Sequence, residues 1–248
     1  MSKHHQLWIY GTHACQAALK NPRRNIFEIA YQNAKALEKF SINNPVPLSS
    51  FKSKLVDRNW FDSKFGNDAV HQGIALLVAP LDEFSPDDLA NDTDQNQLLI
   101  ILDQVNDPHN VGAIIRSAAA FNAKAIVTTN RNAPEESAVL AKSASGALEF
   151  IPIMKYVNLA SAIQELKNMG FWIYGFAESG STPLGKVKFS GKVALILGAE
   201  GTGMRDLTKK NCDFLIHLET SGDFSTLNVS NAAAVAMYKV FTDFNPGE

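Results

Sequence analysis

The chain has 248 residues, of which 46% are hydrophobic and 19% charged, and its net charge is −2. That composition is ordinary for a soluble globular protein with one large or two modest cores. Apolar runs such as LLIIL (98–102) are too short to cross a bilayer, and the segment MSKHHQLWIYG lacks the apolar core of a signal peptide. Cys15 and Cys212 are the two cysteines and form no CxxC pair, which argues against a disulfide framework or a cysteine zinc site and fits a reducing cytoplasm. His4 and His5 have no partner ligands at a useful spacing, so no metal is expected.

The mild total charge hides an asymmetry. Residues 1–80 carry 10 Lys+Arg against 5 Asp+Glu, residues 81–97 carry none against 6, and residues 98–248 carry 13 against 14. The first stretch is therefore a basic unit, and phosphate attraction depends on local rather than total charge.

In chain order, LWIYG reads as a strand and THACQAALKN as a helix ended by Asn21-Pro22. IFEIAYQ alternates like a strand, NAKALEKFSIN has helical spacing, and GIALLVA (73–79) reads as a buried strand. These elements make a small α/β unit over residues 1–80. The acidic, polar stretch that follows (81–97) reads as a linker.

From residue 98 onward strands and helices alternate. Strands are expected at LLIILD (98–103), AIVTT (125–129), FIPIMKY (150–156), WIYGFA (172–177), VALILG (193–198) and DFLIHLE (213–219). Helices are expected at VGAIIRSAAAFN, PEESAVLAKSASGA, NLASAIQELKNMG, GMRDLTKKN and SNAAAVAMYKVFTDF. Apolar, β-branched strands alternating with helices imply an α/β fold with a mainly parallel sheet covered on both faces. Ligands then belong at loops beyond the carboxyl ends of strands.

Three such loops carry polar chemistry. QVNDPHN (104–110) leads into the helix bearing Arg116, with Asn110 as a plausible N-cap. A guanidinium amid small and apolar neighbours is expensive to bury unpaired, so Arg116 either snorkels to solvent or meets a partner. GAEGTGM (198–204) has glycines that let backbone approach a ligand, but the order differs from the dinucleotide fingerprint and lacks the P-loop ending. Glu200 inside it suits a cationic or hydroxylated ligand. STLNVSNAAA (225–234) places Thr226, Asn228 and Ser230 before an alanine-rich helix, with Asn228 or Ser230 as cap.

Together NDPHNVGAIIRSA, ILGAEGTGM and STLNVSNAAA resemble, in order and spacing, the three motifs of the SpoU (TrmH-type) RNA ribose 2′-O-methyltransferases of the SPOUT class. VHQGIALLVAP (70–80) and AKSASGALEFIPI (141–153) resemble further stretches of the branch with an N-terminal RNA-binding domain. The resemblance spans nearly the whole chain. It implies a SPOUT methyltransferase domain with a deep trefoil knot over 98–248, and a small, L30e-like substrate-binding domain over 1–80. It also implies a homodimer using S-adenosylmethionine. The implied reaction is methylation of a ribose 2′-hydroxyl, at a guanosine of large-subunit rRNA, with tRNA as an alternative substrate. A second alternative is an RNA-binding module that has lost transfer. A nicotinamide-dependent oxidoreductase is disfavoured by the missing glycine fingerprint.

The resemblance makes Arg116, Asn110, Asn228, Thr226 and Glu200 the catalytic set. It assigns the cofactor to Leu197, Gly198, Glu200, Gly201, Ile216, Leu218 and Leu227. Arg116 matches the family's catalytic arginine; as a permanent cation it serves as an electrostatic clamp rather than as the base. Thr226 stands where the family usually has serine. Lys20, Arg23, Arg24, Lys52, Lys54 and Arg58 of the basic unit are the expected RNA contacts.

Overall fold

The computed structural model describes residues 6–42, 46–82, 84–131, 134–221 and 227–247. His4, His5 and Thr226 lie outside the described residues. The chain divides into two compact units, one drawn from Met1–Asp82 and Pro134–Phe150, the other from Glu83–Ala133 and Ile151–Glu248.

In the first unit the order is β1 (Leu7–Tyr10), α1 (Thr12–Lys20), β2 (Ile26–Tyr31), α2 (Ala34–Ser41), β3 (Lys52–Leu55), α3 (Arg58–Phe65) and β4 (Ile74–Val78). The sheet runs β1-β4-β2-β3, with β4 antiparallel to both neighbours and β3 parallel to β2. Asn33 caps α2 by accepting from Ala36 N, and Asp57 caps α3 by accepting from Trp60 N. β3 and α3 are absent from the sequence reading for a physical reason. KSKL is an edge strand whose lysines discourage further pairing, and RNWFDSKF is short and mostly polar, so its Trp60, Phe61 and Phe65 are too few to show a helical period.

Residues 134–150 were expected in the C-terminal domain, yet they pack in the first unit. Their short helix Ala138–Ser143 lies on β1 and α1. The tie is an ion cluster around Arg24. Its Nη1 meets Glu136 Oε1 and its Nη2 meets Glu149 Oε1, each at 2.6 Å, and Nη1 also donates to Ala79 O at 2.7 Å. Asn21 Nδ2 donates to Glu149 Oε2 at 2.8 Å, and Leu81 N donates to Glu136 Oε2 at 2.9 Å. The Arg24 side chain is 0% exposed. Burial opposes its charge, and the two carboxylates outweigh that. Arg24 is therefore corrected from an RNA contact to a buried structural cation. At Gly146 (φ +94) a Cβ would press on Ala17 of α1, so glycine is needed for this segment to approach.

The second unit opens with α4 (Pro86–Ala90), inside the stretch expected as a linker. Ser85 and Asp88 form a capping box, and Leu89 is buried in the core with Phe84 against it. Asp92 and Asp94 both pair with Lys124. β5 (Gln97–Asp103), α5 (Pro108–Ala120) and β6 (Ala125–Thr129) follow. After the 134–150 excursion, whose helix is α6, come β7 (Ile153–Tyr156), α7 (Leu159–Asn168), β8 (Trp172–Phe176), β9 (Thr182–Pro183), β10 (Lys192–Gly198), α8 (Asp206–Asn211), β11 (Phe214–His217) and α9 (Val229–Phe244).

Among the described residues the sheet has seven strands in the order β7-β6-β5-β10-β8-β11-β9, all parallel. β5 is buried along its whole length, and Val193–Leu197 of β10 beside it are buried too, as the centre of a two-sided parallel sheet requires. Leu99, Ile101, Val127, Ala194 and Ile196 pack against Leu159, Ala162, Ile163 and Leu166 of α7. The alternate residues face the other side, where α5 and α9 pack on each other and on β6 and β10.

Candidate active site

The strand order sets the carboxyl ends of β5, β10, β8 and β11 side by side, and the three motif loops leave the sheet there. In the first loop Gln104 takes a left-handed φ of +65, which turns the chain sharply out of β5. Asp107, not Asn110, is the N-cap of α5: its side chain accepts from His109 N, and Pro108 occupies the first helical position. Asn110 thus sits inside the first turn, half-buried.

Asn228 is the N-cap of α9. Its Oδ1 accepts from Ser230 N at 2.9 Å and from Ser230 Oγ at 2.6 Å. That consumes the carbonyl end of the amide and leaves Nδ2, which donates to Asn110 Oδ1 at 3.0 Å. The Asn110 Nδ2 then points away from this bond, and no described side chain accepts from it. One fixed amide therefore orients another, leaving a donor pair free for an oxygen acceptor.

Arg116 is exposed on α5 and forms no hydrogen bond or ion pair with another described residue. Six residues at 100° each place it about 120° around the helix from Asn110 and about 9 Å further along. The two therefore lie on different faces of α5, a gap that only a long side chain leaning back toward the helix start can span. Its helical neighbours Gly112, Ala113 and Ala120 are small, so nothing on α5 blocks the guanidinium.

The second loop folds on itself. Gly203 N donates to Ala199 O at 2.8 Å, and Gly201 and Gly203 take φ of +81 and +65. A Cβ on Gly198 would overlap the Gly203 carbonyl carbon and the Met204 nitrogen. Glu200, Gly201 and Thr202 form an exposed rim, while Leu197 and Met204 are buried beneath it. Arg205 anchors the far end: its backbone N and Nε donate to Asp103 Oδ2 and Oδ1 at 2.9 and 2.7 Å. Asp103 is 0% exposed. The sequence reading missed this clamp. Its signal was a carboxylate closing the apolar LLIILD strand, which needs a cation if buried.

The third loop leaves β11 after His217; Ile216 within the strand is buried, and Leu218 just beyond it is half-buried. Leu227 is 46% exposed beside Asn228. β8 lies between β10 and β11, so its end belongs to the same rim: Ala177 N donates to Ile216 O at 3.0 Å. The structure joins Asn110 to Asn228 directly. It gives no contact linking Glu200 or Arg116 to either, and Thr226 is outside the described residues.

Two family models match the chain. The SpoU rRNA methylase family covers residues 97–238, and the RNA 2′-O ribose methyltransferase substrate-binding family covers residues 8–84. This chain belongs to the SpoU rRNA methylase family. The 23S rRNA (guanosine-2′-O-)-methyltransferase of Escherichia coli strain K12 is 36% identical to it over 237 residues, covering 93% of this chain and 96% of that one. The enzyme of the same name from Pseudomonas putida is 33% identical, covering 93% and 94%. A Synechocystis protein described as an uncharacterized tRNA/rRNA methyltransferase is 35% identical, and the chain spans 62% of its length.

Among solved structures, the SpoU methyltransferase AviRb of Streptomyces viridochromogenes, in complex with the cofactor AdoMet, superposes with a TM-score of 0.80. It is 18% identical and covers 98% of this chain and 92% of that one, a likeness of fold. An AdoMet-bound rRNA methyltransferase from Sinorhizobium meliloti gives 0.76 at 19% identity, covering 95% and 86%. All three loops of this SpoU chain fall inside the matched methylase span. So do residues 134–150, although they pack with the substrate-binding unit.

Proposed function

We propose that this protein transfers a methyl group from S-adenosylmethionine to the ribose 2′-hydroxyl of a guanosine in large-subunit rRNA. The observation that carries the reading is the Asn110–Asn228 hydrogen bond. It ties the first and third loops together and leaves a donor aimed away from the pair, while Arg116 further along the same helix is exposed and forms no ion pair with a described residue. Two full-length relatives named for that reaction support the substrate.

The residues fit the cofactor. The rim of 199–203 offers backbone groups, Leu227 an apolar side chain, and Glu200 a carboxylate, which together suit a flat heterocycle and a cationic sulfur. Leu197 and Ile216 contribute through their backbone because their side chains are buried. When bound, the cofactor supplies an electrophilic methyl group. The chain's own part is position and charge. Asn110 Nδ2 donates to a ribose oxygen, and Arg116 clamps an adjacent phosphate and stabilises the negative charge growing on the 2′-oxygen. Glu200, on the exposed rim of the second loop, and Thr226 complete the set.

Residues 1–80 recruit RNA through Lys20, Arg23, Lys52, Lys54 and Arg58, and the methyltransferase part from 98 onward carries the chemistry. The reading includes the family's knotted threading and a homodimer, for which light scattering should return about twice 27.1 kDa. Among the described residues no helix is long and apolar enough to cross a membrane, and no cluster could hold a metal. A cytoplasmic enzyme fits both.

The deciding experiment is single-turnover methyl transfer at saturating RNA and cofactor. Arg116→Ala should fold and bind S-adenosylhomocysteine normally yet lose ~10²–10³ in rate. Arg116→Lys should rescue little, because a point charge cannot form the planar fork. Near wild-type rates in the alanine variant would overturn the role of Arg116. An unmodified pattern of ribose methylation in large-subunit rRNA from cells lacking the gene would overturn the substrate.

A further inference from the structure

We infer that the outer half of one face of the N-terminal sheet is a stacking platform for an unpaired RNA base, built from Trp8 and Trp60 with Lys54 and Lys52 alongside. The inference rests on the RNA-modifying reading above and adds the substrate feature that the first unit takes.

The register puts the residues on one face. Trp8 pairs with Leu77, Leu77 with Glu28 and Glu28 with Lys52; one step in, Tyr10 pairs with Ala75, Ala75 with Ala30 and Ala30 with Lys54. Side chains two apart on a strand share a face, so both rows point the same way. α3, eight residues long, covers the inner row. Phe61 is fully buried there, and Phe65 lies 4.5 Å from the Tyr10 ring. The outer row is less covered: Trp8 packs against the edge of that cluster but stays half-buried, as do Leu77 and Glu28, and Lys52 is exposed.

At the boundary Trp8 and Trp60 meet edge to face, 4.9 Å apart at 82°. Lys54 Nζ stands 4.9 Å from the Trp8 ring and 5.0 Å from the Trp60 ring. The ammonium thus lies over one face of each indole, and a base that stacks on these half-buried rings takes a face Lys54 leaves open or displaces it toward its own phosphate.

Charge selects the occupant. Lys52 and Lys54 stand on the sheet face itself, and Arg58 and Lys64 belong to α3, the helix that carries Trp60. The acids of the patch are already engaged: Glu28 pairs with Lys54 at 3.4 Å, Asp62 with Arg58 at 3.6 Å, and Asp57 caps α3. Lys52 and Lys64 form no ion pair with a described residue. A single strand supplies both a base for the rings and phosphates for these cations, whereas a duplex offers no splayed base.

The test uses the full chain carrying Trp172→Phe, so that Trp8 and Trp60 are the remaining tryptophans. Single-stranded oligoadenylate should quench their emission, and an RNA duplex of equal length should not. Trp60→Leu should weaken oligoadenylate binding by about 5- to 150-fold. Lys54→Gln leaves the ring packing in place and should lower the slope of log affinity against log salt by about one. If oligoadenylate binds without quenching, or if Lys54→Gln leaves the salt slope unchanged, the platform is wrong, whether or not Trp60→Leu folds. Failure of the RNA-modifying reading looks different: the wild-type chain would then neither retain nor methylate rRNA at all.

Discussion

At the scale of single residues, charge and burial decide roles that residue type alone does not. Arg23 and Arg24 are adjacent and chemically identical, yet Arg23 is exposed and Arg24 is enclosed by Glu136 and Glu149. Arg24→Ala should cost about 3–5 kcal/mol, because it strands a carboxylate whose side chain is 3% exposed. Chemical denaturation would read this, and a loss below about 1 kcal/mol would mean that the cluster is solvated. Arg23→Glu should instead leave stability unchanged and weaken RNA binding. His71 offers a pH-dependent counterpart. It stacks on Phe61 at 4.1 Å, and its Nδ1 accepts from Gly73 N, which requires the neutral ring. Burial pushes its pKa below the ordinary value, outweighing the pull of Asp62. The unfolded chain takes up the proton near pH ~6.5, and the folded chain only below that. Stability is therefore full above pH ~6.5 and falls as pH drops below it, toward the lowered folded value. A thermal midpoint that does not fall between about pH 7 and 5.5, or falls equally in His71→Gln, would exclude His71 as the cause.

At the scale of elements, what the sequence made legible were runs whose apolar pattern is strong. β5, β6, β8 and β10 are continuous apolar stretches, and they lie where LLIILD, AIVTT, WIYGFA and VALILG predict them. β3, α3 and α4 were not legible, because their residues are mostly polar and their stability comes from caps and from neighbours far along the chain. The start of α5 was misplaced by three residues because Asp107, Asn110 and Pro108 all carry start signals, and only the hydrogen bond to His109 N separates them. Of the site, the three loops could be recognised from sequence. Of the Asp103–Arg205 clamp only half was legible: the carboxylate closing LLIILD signals the need for a cation, but not which one, since Arg205 stands 102 residues away. The tight return of the second loop yields a sharp expectation. Gly198 needs no unusual φ; what it lacks is room, because a side chain would meet the backbone of Gly203 and Met204, which cannot swing aside. Gly198→Ala should therefore force the 199–203 loop open. Affinity for S-adenosylhomocysteine in calorimetry should fall at least tenfold while the melting temperature changes little. Unchanged affinity would mean that the loop's return is not what shapes the cofactor site.

At the scale of the whole molecule, the chain order and the packing order differ. Residues 134–150 sit in sequence between β6 and β7 of the large sheet, but their partners are Arg24, Asn21, Ala17 and Leu81. No local pattern could reveal this, because PEESAVLAKSASGA reads as an ordinary crossover helix of an α/β sheet. The consequence can be tested by cutting the chain. A fragment beginning at residue 98 loses Phe84 and Leu89 from the core of the second unit, so the cleaner cut is before residue 84. In a fragment of residues 84–248 the large sheet keeps its own helices, and all three motif loops remain. S-adenosylhomocysteine should therefore still bind. The 134–150 segment, however, loses the cation that neutralises Glu149 and the surface on which α6 lies. Its amides should exchange with solvent orders of magnitude faster than in the full chain, while those of β5 and β10 stay protected. Adding residues 1–82 as a separate fragment should restore that protection, and adding the same fragment with Arg24→Ala should not. Slow exchange of 134–150 in the lone 84–248 fragment would show that the segment is held by the second unit after all.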